Sequence, residues 1–266
     1  MHPFETSEHS CGIAVMAKAS APGRTKTRLA PPLTLQEAAD FNTAFLQDVS
    51  ANILAADRLL GRPQLRVYSY MAFGPPGSED FFKDILPAEV GLFEAWLDNF
   101  GACLLKATET LLAMGHSSAV VLNADSPTLP TALLVETAEA LARPGDRAVI
   151  GPSSDGGYYL LGVRQAHRRL FEDIDWSTDR VFPQTLERAH EIGLDVHQLP
   201  VWYDVDDVAA LRVLQRELFM GGSFDTQMTP NTANYTAQLM KRLLATAGLR
   251  ERIEEDSAST KGRSVR

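Results

Sequence analysis

Ser118-Ala-Val-Val-Leu-Asn-Ala-Asp-Ser-Pro127 decides the reading of this chain. Residues 118–124 are an almost unbroken apolar run, short and without alternation. Such a run fits a strand covered on both faces, as at the centre of a parallel sheet. It runs straight into Asp125, and a carboxylate at the end of a buried strand is costly unless it has a partner or a task. Two readings fit Asp125. It can hold Mg²⁺ or Mn²⁺ that bridges phosphate oxygens, or it can cap the turn ahead of Pro127.

Working outward, residues 12–17 (GIAVMA) repeat the buried-strand pattern. Further strands are expected at 64–70, 147–151, 158–163 and 195–199. Helices are expected between them. The first starts at a capping box, Thr34 with Glu37, and carries an apolar stripe of Ala38, Phe41, Phe45, Val49 and Ile53. Others are expected at 79–85, 100–114, 130–142, 180–192, 208–218 and 233–247. Alternating strands and helices predict an α/β fold, a Rossmann-like three-layer α/β/α sandwich on a mostly parallel sheet. The expected organisation is a flexible leader at 1–11, a nucleotide-binding domain at 12–218, a helical extension at 219–250 and a disordered tail at 251–266.

Composition narrows the partners. The chain has 266 residues and a formal net charge of -9, which argues against nucleic acid or an anionic membrane as the main partner. Its two cysteines, Cys11 and Cys103, lie in no CxxC or Cys/His cluster, so neither a disulfide framework nor a zinc site is expected. Cys11 is expected in the leader and Cys103 in a buried helix. The first eleven residues lack an apolar segment of the signal-peptide kind, and no apolar run is long enough to span a bilayer. The expected location is the cytoplasm.

Three more segments carry unusual chemistry at strand ends. After the first strand, Ala17 leads into Lys18, Gly23, Arg24, Lys26 and Arg28. This basic loop, with a glycine for close approach, suits nucleotide phosphates; a solvated surface loop is the plainer alternative. Asp204-Val-Asp206-Asp207 follows the last strand, with Asp204 and Asp206 on one face. One of them can complete a metal site with Asp125, or Asp206 or Asp207 can cap the next helix. Asp155-Gly156-Gly157-Tyr158 reads either as a hairpin turn or as part of a substrate pocket, where Asp155 binds hydroxyls or acts as a base. Trp176 and Ser177 offer a stacking face and a hydroxyl. GxSxG, HExxH and GxGxxG are all absent. The histidines at 116, 167, 190 and 197 are scattered and read as ordinary.

Taken in order, 16–31, Asp125-Ser-Pro-Thr-Leu-Pro130, 151–162, Trp176-Ser-Thr178 and Asp204-Val-Asp206 resemble the motifs of bacterial GT-A-fold transferases. These are the proteins labelled rSAM/selenodomain-associated transferase 1 or arsenosugar-biosynthesis glycosyltransferase. The resemblance spans about residues 12–218. It is similar also to the deazaflavin-cofactor guanylyltransferases and to sugar-nucleotide cytidylyltransferases. It implies a nucleotide-diphospho-sugar transferase fold, a divalent metal on Asp125 and Asp206, and a nucleotide sugar or nucleoside triphosphate as donor to a small-molecule acceptor. Glycosyl transfer is the leading expectation, nucleotidyl transfer the second, and a non-catalytic nucleotide-binding protein the third. The chain departs from the pattern at Asp98-Asn-Phe-Gly-Ala-Cys103, where an arginine is expected and none stands.

Overall fold

The first strand is longer than its apolar centre because its neighbour is equally long. β1 (His9–Lys18) pairs in parallel with β2 (Leu65–Gly74) along its whole length, from His9 opposite Leu65 to Lys18 opposite Gly74. The computed structural model describes residues 9–246 and 248–253. The expected leader therefore loses residues 9–11 to β1, and Cys11 is fully buried in that strand rather than lying in a leader. Residues 1–8 lie outside the described residues.

The sheet has seven strands in the order β3-β2-β1-β4-β6-β5-β7. The remaining strands are β3 (Gly91–Glu94), β4 (Ser118–Leu122), β5 (Arg147–Pro152), β6 (Tyr158–Val163) and β7 (Asp195–Gln198). Every pairing is parallel except those of β6, which runs against both β4 and β5. The β5–β6 connection is the hairpin turn that Asp155-Gly156-Gly157 suggests, closed by Ser153 and Gly157 at 3.0 Å. Strand β3 is not foreshadowed: four residues carry too little pattern, and only its pairing with Tyr70–Phe73 defines it.

Helices cover both faces. α1 (Leu35–Leu60), α2 (Glu79–Ile85), α4 (Thr131–Ala142), α6 (Val208–Phe219) and α7 (Asn234–Thr246) contribute to one apolar cluster. α3 (Phe100–Ala113) and α5 (Val181–Glu191) close the other. Strand alternation divides the side chains: Ile13, Val15, Val120 and Leu122 face the first cluster, whereas Ala14, Ala119 and Val121 face the second. Full burial of a side chain such as Phe41, Phe45 or Ile53 from α1 stabilises the fold by about 1.5–3 kcal/mol each.

The capping box at Thr34 forms as expected, with Thr34 accepting from the Glu37 amide at 3.1 Å and Glu37 accepting from the Thr34 amide at 2.7 Å. The C-terminal extension is tied to this same helix. Asp48 of α1, almost fully buried, accepts the amides of Tyr235 at 2.9 Å and Thr236 at 2.8 Å, which caps α7 from a distance. Residues 249–253 are helical, Leu249 and Ile253 are buried, and Arg252 forks onto Glu37 with two contacts of 2.8 Å. Residues 251–253 thus pack on the domain instead of beginning a tail, and 254–266 lie outside the described residues.

Candidate active site

β1 leads to β2 on one side, while β4 lies on its other side, so the strand order reverses between β1 and β4. In open α/β sheets the ligand crevice lies beyond the carboxyl ends of the strands at that point. Two of the chemical segments leave β1 and β4 there. The third arrives by extension of β7: Leu199 donates to Ile150 O at 2.9 Å, Trp202 donates to Pro152 O at 3.1 Å, and Ser154 donates to Trp202 O at 2.9 Å. Val205 then donates to Asp125 O at 2.8 Å, and the Ser126 hydroxyl donates to Tyr203 O at 2.9 Å. Tyr203 and Val205 are buried in the core, so alternation turns Asp204 and Asp206 the other way, toward the crevice.

The centre of the arrangement is Lys26. Its backbone is left-handed, with φ 51°, at the start of a 3-10 turn over Thr27–Leu29. Its ammonium lies 2.6 Å from Asp125 Oδ1 and 2.7 Å from Asp206 Oδ1, and donates to Val205 O at 3.0 Å. The Lys26 side chain is only 5% exposed, against 31% for Asp125 and 40% for Asp206. Burial opposes the Lys26 charge, but the two carboxylates more than offset it, so the ammonium is held above its ordinary range. Burial pushes the Asp125 carboxyl up; Lys26 opposes that shift and Asp206 adds to it.

The Asp204–Asp207 segment divides its tasks by residue. Asp207 caps α6, accepting the Ala210 amide at 2.8 Å, which leaves Asp206 free to meet Lys26. Asp204 accepts from the Ser153 hydroxyl at 2.9 Å, and burial followed by the nearby charges of Asp155 and Asp206 pushes it up to about 6. Asp155 itself is exposed and accepts the Gly157 amide at 2.9 Å. Gly156 has φ 93°, and a Cβ there would stand 2.4 Å from Asp179 O; the turn is pressed against the residues just beyond Trp176-Ser-Thr178.

Other expected residues fall around this centre rather than in it. Ala17 is buried within β1. Lys18, the last residue of β1, is exposed, as are Gly23, Arg24 and Arg28 on the loop that follows, with Gly23 at φ 72°. Trp176 packs edge-on against Phe100, with ring centres 5.4 Å apart, and against Tyr158 at 6.4 Å. Burial raises the Tyr158 phenol far above its ordinary range. Ser177 is exposed with φ 66°. Trp176 also lines a cavity of about 410 Å³ with Asn99, Gly101, Arg168, Phe171 and Ile174. Gly101 belongs to the stretch that lacks the expected arginine, and a Cβ there would meet Trp176 Nε1 at 2.8 Å.

Trp96 is a candidate that sequence reading missed. It follows β3, is 41% exposed, and rests on Gly74, where a Cβ would come within 1.9 Å of the ring. The Lys18 ammonium stands 6.0 Å from its centre. The available signal was a glycine at a strand end facing an aromatic after the next strand.

Among the described residues, no three His, Cys, Asp or Glu side chains form a ready metal cage. Two carboxylates sharing one cation are nonetheless the donor set that suits Mg²⁺, which is usually held by one or two carboxylates together with substrate phosphates and water. The residues fit a metal of that kind.

Residues 57–178, which contain Asp125, Asp155 and Trp176, match the model of a family described as an uncharacterized protein conserved in bacteria (DUF2064). No curated protein matches the chain. A Desulfovibrio desulfuricans protein, provisionally described as a nucleotide-diphospho-sugar transferase, is 26% identical, with 93% of this chain and 99% of that one covered at a TM-score of 0.74. A cytidylyltransferase from Leptospira borgpetersenii is 11% identical over 91% of this chain and 96% of its own, at a TM-score of 0.48. A nucleotidyl transferase from Methanothermobacter is 15% identical over 80% and 99%, also at 0.48. The sheet order and the Desulfovibrio likeness make this a GT-A-like transferase fold. No helix among the described residues is long and apolar enough to cross a membrane.

Proposed function

We propose that the protein transfers a glycosyl group from a nucleotide-activated sugar to a small-molecule acceptor, using Mg²⁺ or Mn²⁺ on Asp125 and Asp206. The observation that carries this reading is the meeting of Lys26, Asp125 and Asp206 where the strand order reverses. The likeness to the Desulfovibrio protein over nearly the whole of both chains supports it. The metal, when bound, supplies a Lewis acid that neutralises charge on the leaving diphosphate. The chain's own residues do the rest. Arg24 and Arg28 face solvent from the loop and bind phosphate oxygens through their planar forks. Ala17 and Gly23 let the backbone pass close to the nucleotide. Asp155, on the exposed hairpin with Gly156, Gly157 and Tyr158 behind it, holds or deprotonates an acceptor hydroxyl. Trp176 and Ser177 form one wall of the acceptor side.

Nucleotidyl transfer is the second reading, and one feature favours it. Lys18 at the end of β1 and Arg24, Lys26 and Arg28 on the loop after it put four cations within eleven residues, more than a diphosphate needs. The discriminating assay supplies nucleotide sugars, or nucleoside triphosphates with sugar phosphates, in the presence of Mn²⁺, and measures which product appears. Release of a nucleoside diphosphate supports glycosyl transfer. Robust pyrophosphate release, with no nucleoside diphosphate, overturns it in favour of nucleotidyl transfer.

A further inference from the structure

The Lys26 ammonium sits where a cation shared by Asp125 and Asp206 would sit. It touches one oxygen of each carboxylate, at 2.6 and 2.7 Å. The Val205 amide and the Ser126 hydroxyl already join the two segments, but without a cation between them the two carboxylate heads would repel. Two cations on the same pair of oxygens would repel in turn. We propose that Lys26 and a divalent cation take this seat alternately: Lys26 holds the carboxylates in register, and the arriving metal displaces its ammonium onto the substrate phosphates. The proposal rests on the metal reading above and assigns Lys26 a role in metal affinity as well as in phosphate binding.

The local structure suits such a move. The charge is carried on a flexible four-carbon stem with a compact, rotatable head, unlike an arginine fork fixed by its plane. The stem starts from a left-handed residue on a loop whose neighbouring cations, Arg24 and Arg28, already face solvent. Three acceptors hold the ammonium now, and two of them are the oxygens a metal would take. On metal binding Lys26 therefore loses its carboxylate partners together and keeps only the Val205 carbonyl. Phosphate oxygens then offer the better position. Metal and polyphosphate should consequently favour one another, each by the same factor, through this one side chain.

Electron paramagnetic resonance of free and bound Mn²⁺ tests this on the full chain and its Lys26→Met variant, each with and without inorganic pyrophosphate. Lys26→Met should bind Mn²⁺ at least tenfold more tightly than the natural protein when pyrophosphate is absent. Pyrophosphate should tighten Mn²⁺ binding several-fold more in the natural protein than in the variant. Equal Mn²⁺ affinity in the two proteins, or weaker binding by Lys26→Met, overturns the alternation while leaving the metal site standing. No Mn²⁺ binding by either protein, with or without pyrophosphate, overturns the metal reading itself. Circular dichroism checks that the variant folds, and Lys26→Gln serves in its place if it does not.

Discussion

Replacing Asp125 by asparagine removes one charge and keeps the side chain's size and one acceptor oxygen. The main-chain carbonyl that receives the Val205 amide at 2.8 Å is untouched, so the tie between the β4 end and the Asp204–Asp207 segment survives. The loss falls on the contact with Lys26. A charge-assisted hydrogen bond contributes about 1.5–3 kcal/mol, and losing one partner of a buried ion costs most when no other remains. Here Asp206 remains, 2.7 Å from the ammonium, and Asp125 is 31% exposed. Solvent screening and the second carboxylate bring the expected cost down to about 1–2 kcal/mol. In a chain of this size that lowers the melting temperature by roughly 2–4 °C. Activity should fall much further, by about 10–100-fold, because half of the carboxylate charge proposed to hold the metal is gone. Thermal melting by circular dichroism and turnover with Mn²⁺ read the two effects separately. An Asp125→Asn protein with unchanged turnover would refute the reasoning, whatever its melting temperature.

Three further outcomes follow from the packing. Gly156→Ala adds a Cβ that would stand 2.4 Å from Asp179 O at a residue with φ 93°; the hairpin and the Trp176 segment must separate, and kcat should drop several-fold while overall stability falls by only about 1–3 kcal/mol. Asp48→Ala leaves two amides at the start of α7 without their acceptor and should cost about 1–3 kcal/mol in urea unfolding, whereas Asp48→Asn should cost less. Burial pushes the His116 imidazole down to about 4 from an ordinary value near 6.5. The unfolded chain therefore takes up a proton at higher pH than the folded one. The stability due to neutral His116 is complete above about pH 6.5 and is lost as pH falls toward 4, by about 3 kcal/mol in all. His116→Gln should flatten that part of the stability profile in urea titrations at pH 7, 5.5 and 4.5; an unchanged slope would remove His116 from the account.

Much of the fold is legible because the central strands carry their own signal. β1 and β4 are covered on both faces, so they read as unbroken apolar runs. Thr34 and Glu37 mark the start of α1 by local chemistry alone. β3 is silent because four residues cannot show a period, and its existence depends on the far end of β2. Residues 9–11 looked polar enough for a leader, yet the length of β2 recruits them into the sheet. The site is legible in part. The aspartates at strand ends stand out because a buried run ending in a carboxylate is unusual, and strand alternation correctly pairs Asp204 with Asp206 against Tyr203 and Val205. The division of labour between Asp206 and Asp207 is settled only by the Ala210 amide. What sequence could not give is the position of Lys26. Its partner Asp206 lies 180 residues away, and the left-handed turn that aims it inward is not one a lysine advertises. Trp96 escaped for a similar reason, since its support on Gly74 crosses two elements.

The most direct test of the account is the anomalous scattering of manganese in crystals of the full chain soaked with Mn²⁺ and a nucleotide sugar. The account predicts a single peak about 2.1 Å from carboxylate oxygens of both Asp125 and Asp206, with phosphate oxygens completing its shell and the Lys26 ammonium moved onto them. A peak elsewhere, or Lys26 still bridging the two aspartates beside bound nucleotide, would contradict it.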